Sequence, residues 1–208
     1  MVEAICNKIT LRIRKEMPDI DDEKAEVINY GLQLMIGEIP KFLIIGAIAW
    51  FAGVFELTIL TLLLMSPYRT VSGGVHLQTH IGCIIATSVF YIGNALLSKY
   101  MVLEQTVQYL LTSCIWIFSM IMIKLYAPAD TEAVPILRKK ERKIKKVLSY
   151  IIMTTTLLVA LFIKNTVVSN ILLFGTLLQT ITITRFMYKI TGNKYGYEEH
   201  IKNNQSTK

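Results

Sequence analysis

Apolar residues along this chain are gathered into runs and do not recur at the spacing of a soluble amphipathic helix, which is the pattern of segments that face lipid. From Val27 to Gly53 the chain is mostly apolar, interrupted by Glu38, Pro40 and Lys41, and Glu56 precedes a second run that ends at Met65. Longer stretches follow at Leu77 to Leu97, Leu103 to Tyr126, Val147 to Ile163 and Val167 to Tyr188. The runs predict an all-α, polytopic integral membrane helical bundle of about six hydrophobic segments. The segment 54–66 is short: a dozen residues rise about 18 Å against a hydrocarbon core of about 30 Å, so it reads as a half-span or as a helix in thinned bilayer.

Polar segments divide the rest. In residues 1–26, Ile5, Ile9 and Ile13 recur at i, i+4 and i+8 beside Val2 and Cys6, with Lys8, Arg12 and Lys15 elsewhere around the turn. That is an amphipathic helix, lying either on the membrane surface or on the protein's own cytoplasmic face. Pro18 and the acidic Asp19 to Glu23 end it. Residues 27–190 form the membrane domain, with a basic cytoplasmic loop at 127–146, and residues 191–208 form a polar tail, expected to be mobile from Asn193 on. Expected hinges are Pro67, the Gly73-Gly74 pair and the connector from Ala127-Pro128-Ala129-Asp130 to Pro135.

Composition agrees with the bilayer: 53% of residues are hydrophobic and 18% charged, against about 25% charged in an ordinary soluble domain. The net charge of +7 does not indicate nucleic acid, because the Lys and Arg residues sit at segment ends and in one loop, where the positive-inside rule puts them. Arg138, Lys139, Lys140, Arg142, Lys143, Lys145 and Lys146 crowd that loop, and both termini are basic too, so all three belong on the cytoplasmic side. Six crossings permit this and five do not. The same parity places Arg69 and the glycine pair at the cytoplasmic surface. Cys6, Cys83 and Cys114 are odd in number and unrelated in spacing, so disulfides are not the organising device.

Chemistry concentrates in Arg69-Thr-Val-Ser-Gly-Gly-Val-His76-Leu-Gln-Thr-His80-Ile-Gly-Cys83, which holds a thiol, two imidazoles, a guanidinium and a glycine pair within fifteen residues. Cys83 is the candidate nucleophile, since a neighbouring imidazole or guanidinium raises thiolate character. On a straight helix His80 is its nearest imidazole and His76 lies two turns away; His76 serves only if the chain bends at Gly73, Gly74 or Gly82. Other readings stay open on the residues alone. His76, His80 and Cys83 fall at i, i+4 and i+7 and match a three-ligand zinc set, without the Glu of a His-Glu-x-x-His protease. Buried polar residues in a bundle also line transport paths, and a plain turn with headgroup-level histidines accounts for the same letters. Glu38 and Lys41 read as a helix-end ion pair.

The pattern Arg-x-x-x-Gly-Gly-x-His-x6-Cys, then two apolar runs, Tyr126-Ala-Pro-Ala, Pro135-Ile136 and the basic Leu137 to Lys146, resembles the accessory gene regulator protein B (AgrB) family over nearly the whole chain. The resemblance implies a membrane-embedded cysteine endopeptidase. Such an enzyme removes the charged C-terminal tail of a quorum-sensing propeptide and helps close a thiolactone or lactone ring. It implies Cys83 as nucleophile with His76 as its partner, Arg69 and Gly74 as required residues, and no role for His80. It therefore implies that the chain from His76 to Cys83 is not one straight helix. Gly73 and Gly74 would let substrate backbone approach or offer N–H donors to an oxyanion, or simply make a tight turn. Arg138, Lys139, Lys140, Arg142 and Lys143 are candidates for attracting an acidic substrate tail, beside their role in topology. The expected partners are the propeptide and the lipid bilayer, with a homodimer as a further possibility; no cofactor or metal is called for. The alternatives in function are a small peptide exporter and a zinc-dependent membrane protease using His76, His80 and Cys83.

Overall fold

Helix after helix, and no strand, makes up the computed structural model, which describes residues 2–17, 20–77, 79–132 and 135–206. In chain order the helices are α1 (Val2–Glu16), α2 (Asp22–Phe51), α3 (Phe55–Ser72), α4 (His80–Tyr100), α5 (Gln105–Tyr126), α6 (Lys139–Phe162), α7 (Thr166–Thr182), α8 (Arg185–Ile190) and α9 (Gly196–Ser206). Two compact units contain them, Met1–Ala52 and Gly53–Lys208.

In the first unit α1 packs on α2, burying Cys6, Thr10 and Ala25. Asp21 caps α2 by accepting from the N–H of Lys24 at 2.8 Å, and Arg14 pairs with Asp22 at 2.7 Å. The Glu38–Lys41 ion pair forms, but inside a continuous 30-residue helix that also contains Pro40, not at a helix end.

The second unit has the inside and outside of a membrane bundle. Its helices expose Val89, Leu110, Ile117 and Phe162, and they bury Thr58, Asn94, Ser119, Ser149, Asn170, Thr176, Gln179 and Thr180. Lipid solvates the apolar side chains, so the polar ones turn inward to find partners on other helices. Asn94 Nδ2 donates to the Ile171 carbonyl at 3.1 Å, and Asn170 Nδ2 to that of Met101 at 2.7 Å. Thr180 Oγ1 lies 3.0 Å from the Tyr68 hydroxyl and 2.9 Å from that of Ser119. α7 is the central element, packing against α3, α4, α5 and α6 with Ile171 to Thr176 buried throughout. Its Gly175 allows that approach, since a Cβ there would run into Met65 and Asn94.

Among the described residues, α4 from Ile81, α5 and α6 are long and apolar enough to cross a membrane, and α7 is a shorter apolar helix. With α2 and α3 they make six hydrophobic helices, so six holds as an approximate count. Three expectations change. Pro67 does not hinge the chain; α3 runs through it to Ser72 and reaches about 27 Å, longer than the apolar run alone suggested. The basic half of the loop, from Lys139 on, is helix, because α6 starts there. The tail is docked where it begins: Tyr195 is buried, stacks 4.0 Å from the Tyr188 ring and donates its hydroxyl to the Ile183 carbonyl at 2.8 Å.

Candidate functional site

α3 ends where the backbone demands glycine. Gly73 takes φ 74° and donates its N–H to the Arg69 carbonyl at 3.0 Å, and a Cβ there would collide with the Ala129 carbonyl. That φ lies in the left-handed region, which side chains disfavour. The chain then runs beside the connector after α5: the Ala129 N–H donates to the Ser72 carbonyl and the Gly74 N–H to the Ala129 carbonyl, both at 2.8 Å, forming a single parallel bridge. Val75 donates to the Thr182 carbonyl at 3.1 Å. The N–H groups of Gly73, Gly74 and Val75 are thus all used within the protein, and the glycine pair acts here as a tight turn of close approach.

Arg69 closes the turn from within. Its Nη2 donates to the Val75 carbonyl at 2.6 Å, and Nη1 donates to Thr182 Oγ1 at 3.2 Å and to Gln179 Oε1 at 3.5 Å. Gly74, at φ 136°, leaves room for the guanidinium: an added Cβ would sit 2.7 Å from Nη1. Gln179, fully buried on α7, donates from Nε2 to the Gly73 carbonyl at 2.8 Å and to Ser72 Oγ at 3.0 Å. The thiol of Cys83 and the phenols of Tyr91 and Tyr188 lie within electrostatic reach of the guanidinium.

His76 sits in the non-helical stretch that follows, with its side chain exposed. Thr79 caps α4, its Oγ1 accepting from the N–H of Gly82 at 3.2 Å, and His80 is the first helical residue. Cys83 lies in the first turn of α4, half-buried, with its N–H donating to the Thr79 carbonyl at 2.9 Å and its Sγ 3.9 Å from Thr87 Oγ1. The chain from His76 to Cys83 is therefore not one helix. The one-face zinc set assumed a straight helix from 76 to 83, which the chain does not have, whereas His80 and Cys83 do lie three residues apart at the start of α4. Among the described residues no cluster of three or more His, Cys, Asp or Glu is placed to hold a metal ion.

The connector is fixed by a buried carboxylate. Asp130 Oδ2 accepts from Arg142 Nη1 at 2.9 Å and from the N–H groups of Ile136 and Tyr197 at 2.9 Å and 3.1 Å. Arg142 also donates to the Pro128 carbonyl at 3.3 Å and lies 4.3 Å over the Tyr197 ring. Arg142 is thereby committed to the connector, whereas Arg138, Lys139, Lys140 and Lys143 are exposed. Arg142, Lys143 and Lys146 line a pocket of about 340 Å³ with Tyr126, Pro128, Tyr195 and Glu198.

The structure thus joins Arg69, Gly73 and Gly74 in one turn, sets Cys83 within electrostatic reach of it, and ties the basic head of α6 to the connector through Arg142. Sequence reasoning missed Gln179 and Thr182. The available signal was a glutamine inside an apolar run, since a polar residue at membrane depth marks an interior contact.

Compared with known proteins, residues 6–183 match the family described as Accessory gene regulator B. An AgrB-like protein of Clostridium acetobutylicum is 22% identical over 195 residues, covering 94% of this chain and 91% of the relative. The accessory gene regulator protein B of Staphylococcus epidermidis is 28% identical over 156 residues, 75% of this chain and 77% of that one. An AgrB-like protein of Listeria monocytogenes is 27% identical over 191 residues, 86% and 87% of the two chains. No solved structure matches.

Proposed function

This chain belongs to the accessory gene regulator B family, and from that premise we propose that it is a cysteine endopeptidase of the cell membrane that cuts an autoinducer propeptide and promotes closure of its ring. Membership supports a role in processing the quorum-sensing peptide of the accessory gene regulator system. The observation that carries the finer reading is the half-buried thiol of Cys83 in the first turn of α4, within electrostatic reach of the Arg69 guanidinium held by the Gly73-Gly74 turn.

His76 takes the proton of the Cys83 thiol, and Sγ attacks the carbonyl at the tail junction of the substrate. The carbonyl oxygen becomes an oxyanion. The N–H groups of Gly73 and Gly74 are occupied, as are those of Gly82 and Cys83 in the first turn of α4, so the oxyanion is favoured by the positive end of the α4 dipole. As the C–N bond breaks, His76 returns the proton to the leaving amine, and the remaining peptide is held as a thioester on Cys83. A substrate thiol then attacks that thioester, its proton passes to the Cys83 sulfur through His76, and the ring closes as one thioester replaces another. Water at the same step would give only a linear acid, so a site at the membrane boundary favours the ring. The helices cross the membrane several times, with both termini and the site on the cytoplasmic side, as the positions of the basic residues direct. Arg69, its guanidinium held by Val75, Thr182 and Gln179, supplies positive charge within reach of the Cys83 sulfur, and the exposed Arg138, Lys139, Lys140 and Lys143 draw the acidic tail of the substrate.

The test is incubation of the purified protein in lipid vesicles with a tagged candidate propeptide, followed by intact mass of both. Tail release and an acyl adduct that require Cys83 and His76 and survive His80→Ala support the proposal. Equal cleavage by Cys83→Ala and wild type overturns it in favour of an exporter.

A further inference from the structure

We propose that Gln179 is a positioning residue of this site, through which α7 aims the Arg69 guanidinium and fixes the Gly73-Gly74 peptide. The role in catalysis rests on the endopeptidase reading; the link to Arg69 and Cys83 does not.

One primary amide meets two opposite demands here. Oε1 faces the Nη1 of Arg69, a donor, and Nε2 faces the Gly73 carbonyl and Ser72 Oγ, which accept at 2.8 and 3.0 Å. Turning the amide over would set NH2 against guanidinium and oxygen against carbonyl, so the network allows one orientation. No other common side chain of that length both accepts from a cation and donates to a carbonyl: glutamate lacks the donors, and methionine has no donor and only a weak sulfur acceptor. Gln179 is fully buried, so no water replaces what a substitution removes. Its neighbour reinforces the aim, because Thr182 Oγ1 accepts from the same Nη1 while donating to the Gln179 carbonyl at 2.7 Å. Tyr68, one residue before Arg69, is tied to α7 through Thr180. The last turns of α7 therefore grip the end of α3 at Tyr68, Arg69 and Ser72, and the contact at Arg69 carries the charge. Gln179 acts through Arg69.

The experiment reads that charge directly. In protein carrying Cys6→Ser and Cys114→Ser, reconstituted in vesicles, Cys83 is alkylated with anionic iodoacetate and with neutral iodoacetamide, and the ratio of the two rates reports positive charge aimed at the sulfur. Gln179→Met should lower the ratio roughly threefold or more, as a cation within electrostatic reach of the sulfur ceases to be held. In an Arg69→Met background the same change should leave the ratio alone. A loosened fold would move both reagents together, so an unchanged ratio in Gln179→Met, or an equal fall with Arg69 absent, overturns the proposal. If the methionine variant does not fold, Gln179→Glu serves: it keeps the acceptor, places a negative charge against the guanidinium, and must lower the ratio further. Propeptide cleavage is measured on the same proteins. A wild type that never cleaves, with the ratio responding as stated, removes the endopeptidase reading and leaves Gln179 as the residue that aims Arg69.

Discussion

Two halves of one short loop behave differently. Residues 69–75 are gripped on every side: the N–H groups of Gly73, Gly74 and Val75, the carbonyls of Arg69, Gly73 and Val75, and the Arg69 guanidinium all have protein partners on α3, α7 or the connector. Residues 76–79 carry the exposed side chains of His76 and Thr79 and lead into α4, where the thiol waits one turn inside the cap. The first half is a rigid frame and the second presents reactive groups. A peptide substrate needs both: a fixed geometry at the reacting carbonyl, and an imidazole with room to carry a proton between sulfur and amine.

The contrast breaks most sharply at His76. His76→Ala should cost about 10²- to 10⁴-fold in tail release, the usual contribution of a general base, while the thermal unfolding midpoint should move little, because the side chain is exposed on a non-helical stretch. A fall in the midpoint of several degrees would make His76 part of the frame. Gly73→Ala should do the reverse first: the new methyl meets the Ala129 carbonyl at a positive φ, so the protein loses roughly 2–4 kcal/mol of stability, read from denaturant unfolding in detergent, and activity falls with it. Wild-type stability in that variant would mean the bridge between Ser72–Gly74 and Ala129 is dispensable.

The frame extends to the connector, which Arg142→Met tests. Asp130 has a fully buried side chain, and one of its oxygens, Oδ1, already lacks a hydrogen-bond partner. Removing the guanidinium leaves a buried carboxylate with only backbone donors, at a cost of about 3 kcal/mol. Lys143→Met, an exposed neighbour on the same turn, should leave stability unchanged and weaken only substrate capture, in a manner that salt mimics. Equal destabilisation by the two would show that Arg142 is not the strut between connector and α6.

How much of this was visible in the letters depends on whether a feature leaves a period. The apolar runs do, and α4, α5 and α7 begin within about three residues of the runs that announced them. The run at Val147 announced only part of α6, because Lys139 to Lys146 are good helix formers with no apolar face to mark them. Pro67 reads as a breaker in isolation, yet α3 passes through it, as helices in a bundle allow when neighbours support the freed carbonyl. Docking of the tail through Tyr188 and Tyr195 left only a polar composition to read. Hardest of all was the pairing across the chain. Arg69 with Gln179 and Thr182, and Gly73 with Ala129, are contacts between residues 56 to 113 positions apart, and a hydrogen bond at that distance leaves no local pattern. The family resemblance put the glycine pair and Tyr126-Ala-Pro-Ala in order along the chain without saying that they touch.

The finest test of the frame is Thr182, whose two roles separate cleanly. Its backbone carbonyl holds the Val75 N–H at 3.1 Å, and any side chain preserves that; its hydroxyl alone accepts from Arg69 at 3.2 Å. Thr182→Val keeps shape and β-branching while deleting the hydroxyl, and Thr182→Ser keeps the hydroxyl. Arg69 would still hold the Val75 carbonyl and face Gln179, so the valine variant should lose only about 1 kcal/mol of aim, near a fivefold fall in kcat/KM for tail release, with little change in the unfolding midpoint. Serine should restore the wild-type rate. If valine and serine lose activity alike, the methyl packing at this position matters and the hydroxyl does not, and Arg69 is aimed by Gln179 and the Val75 carbonyl alone.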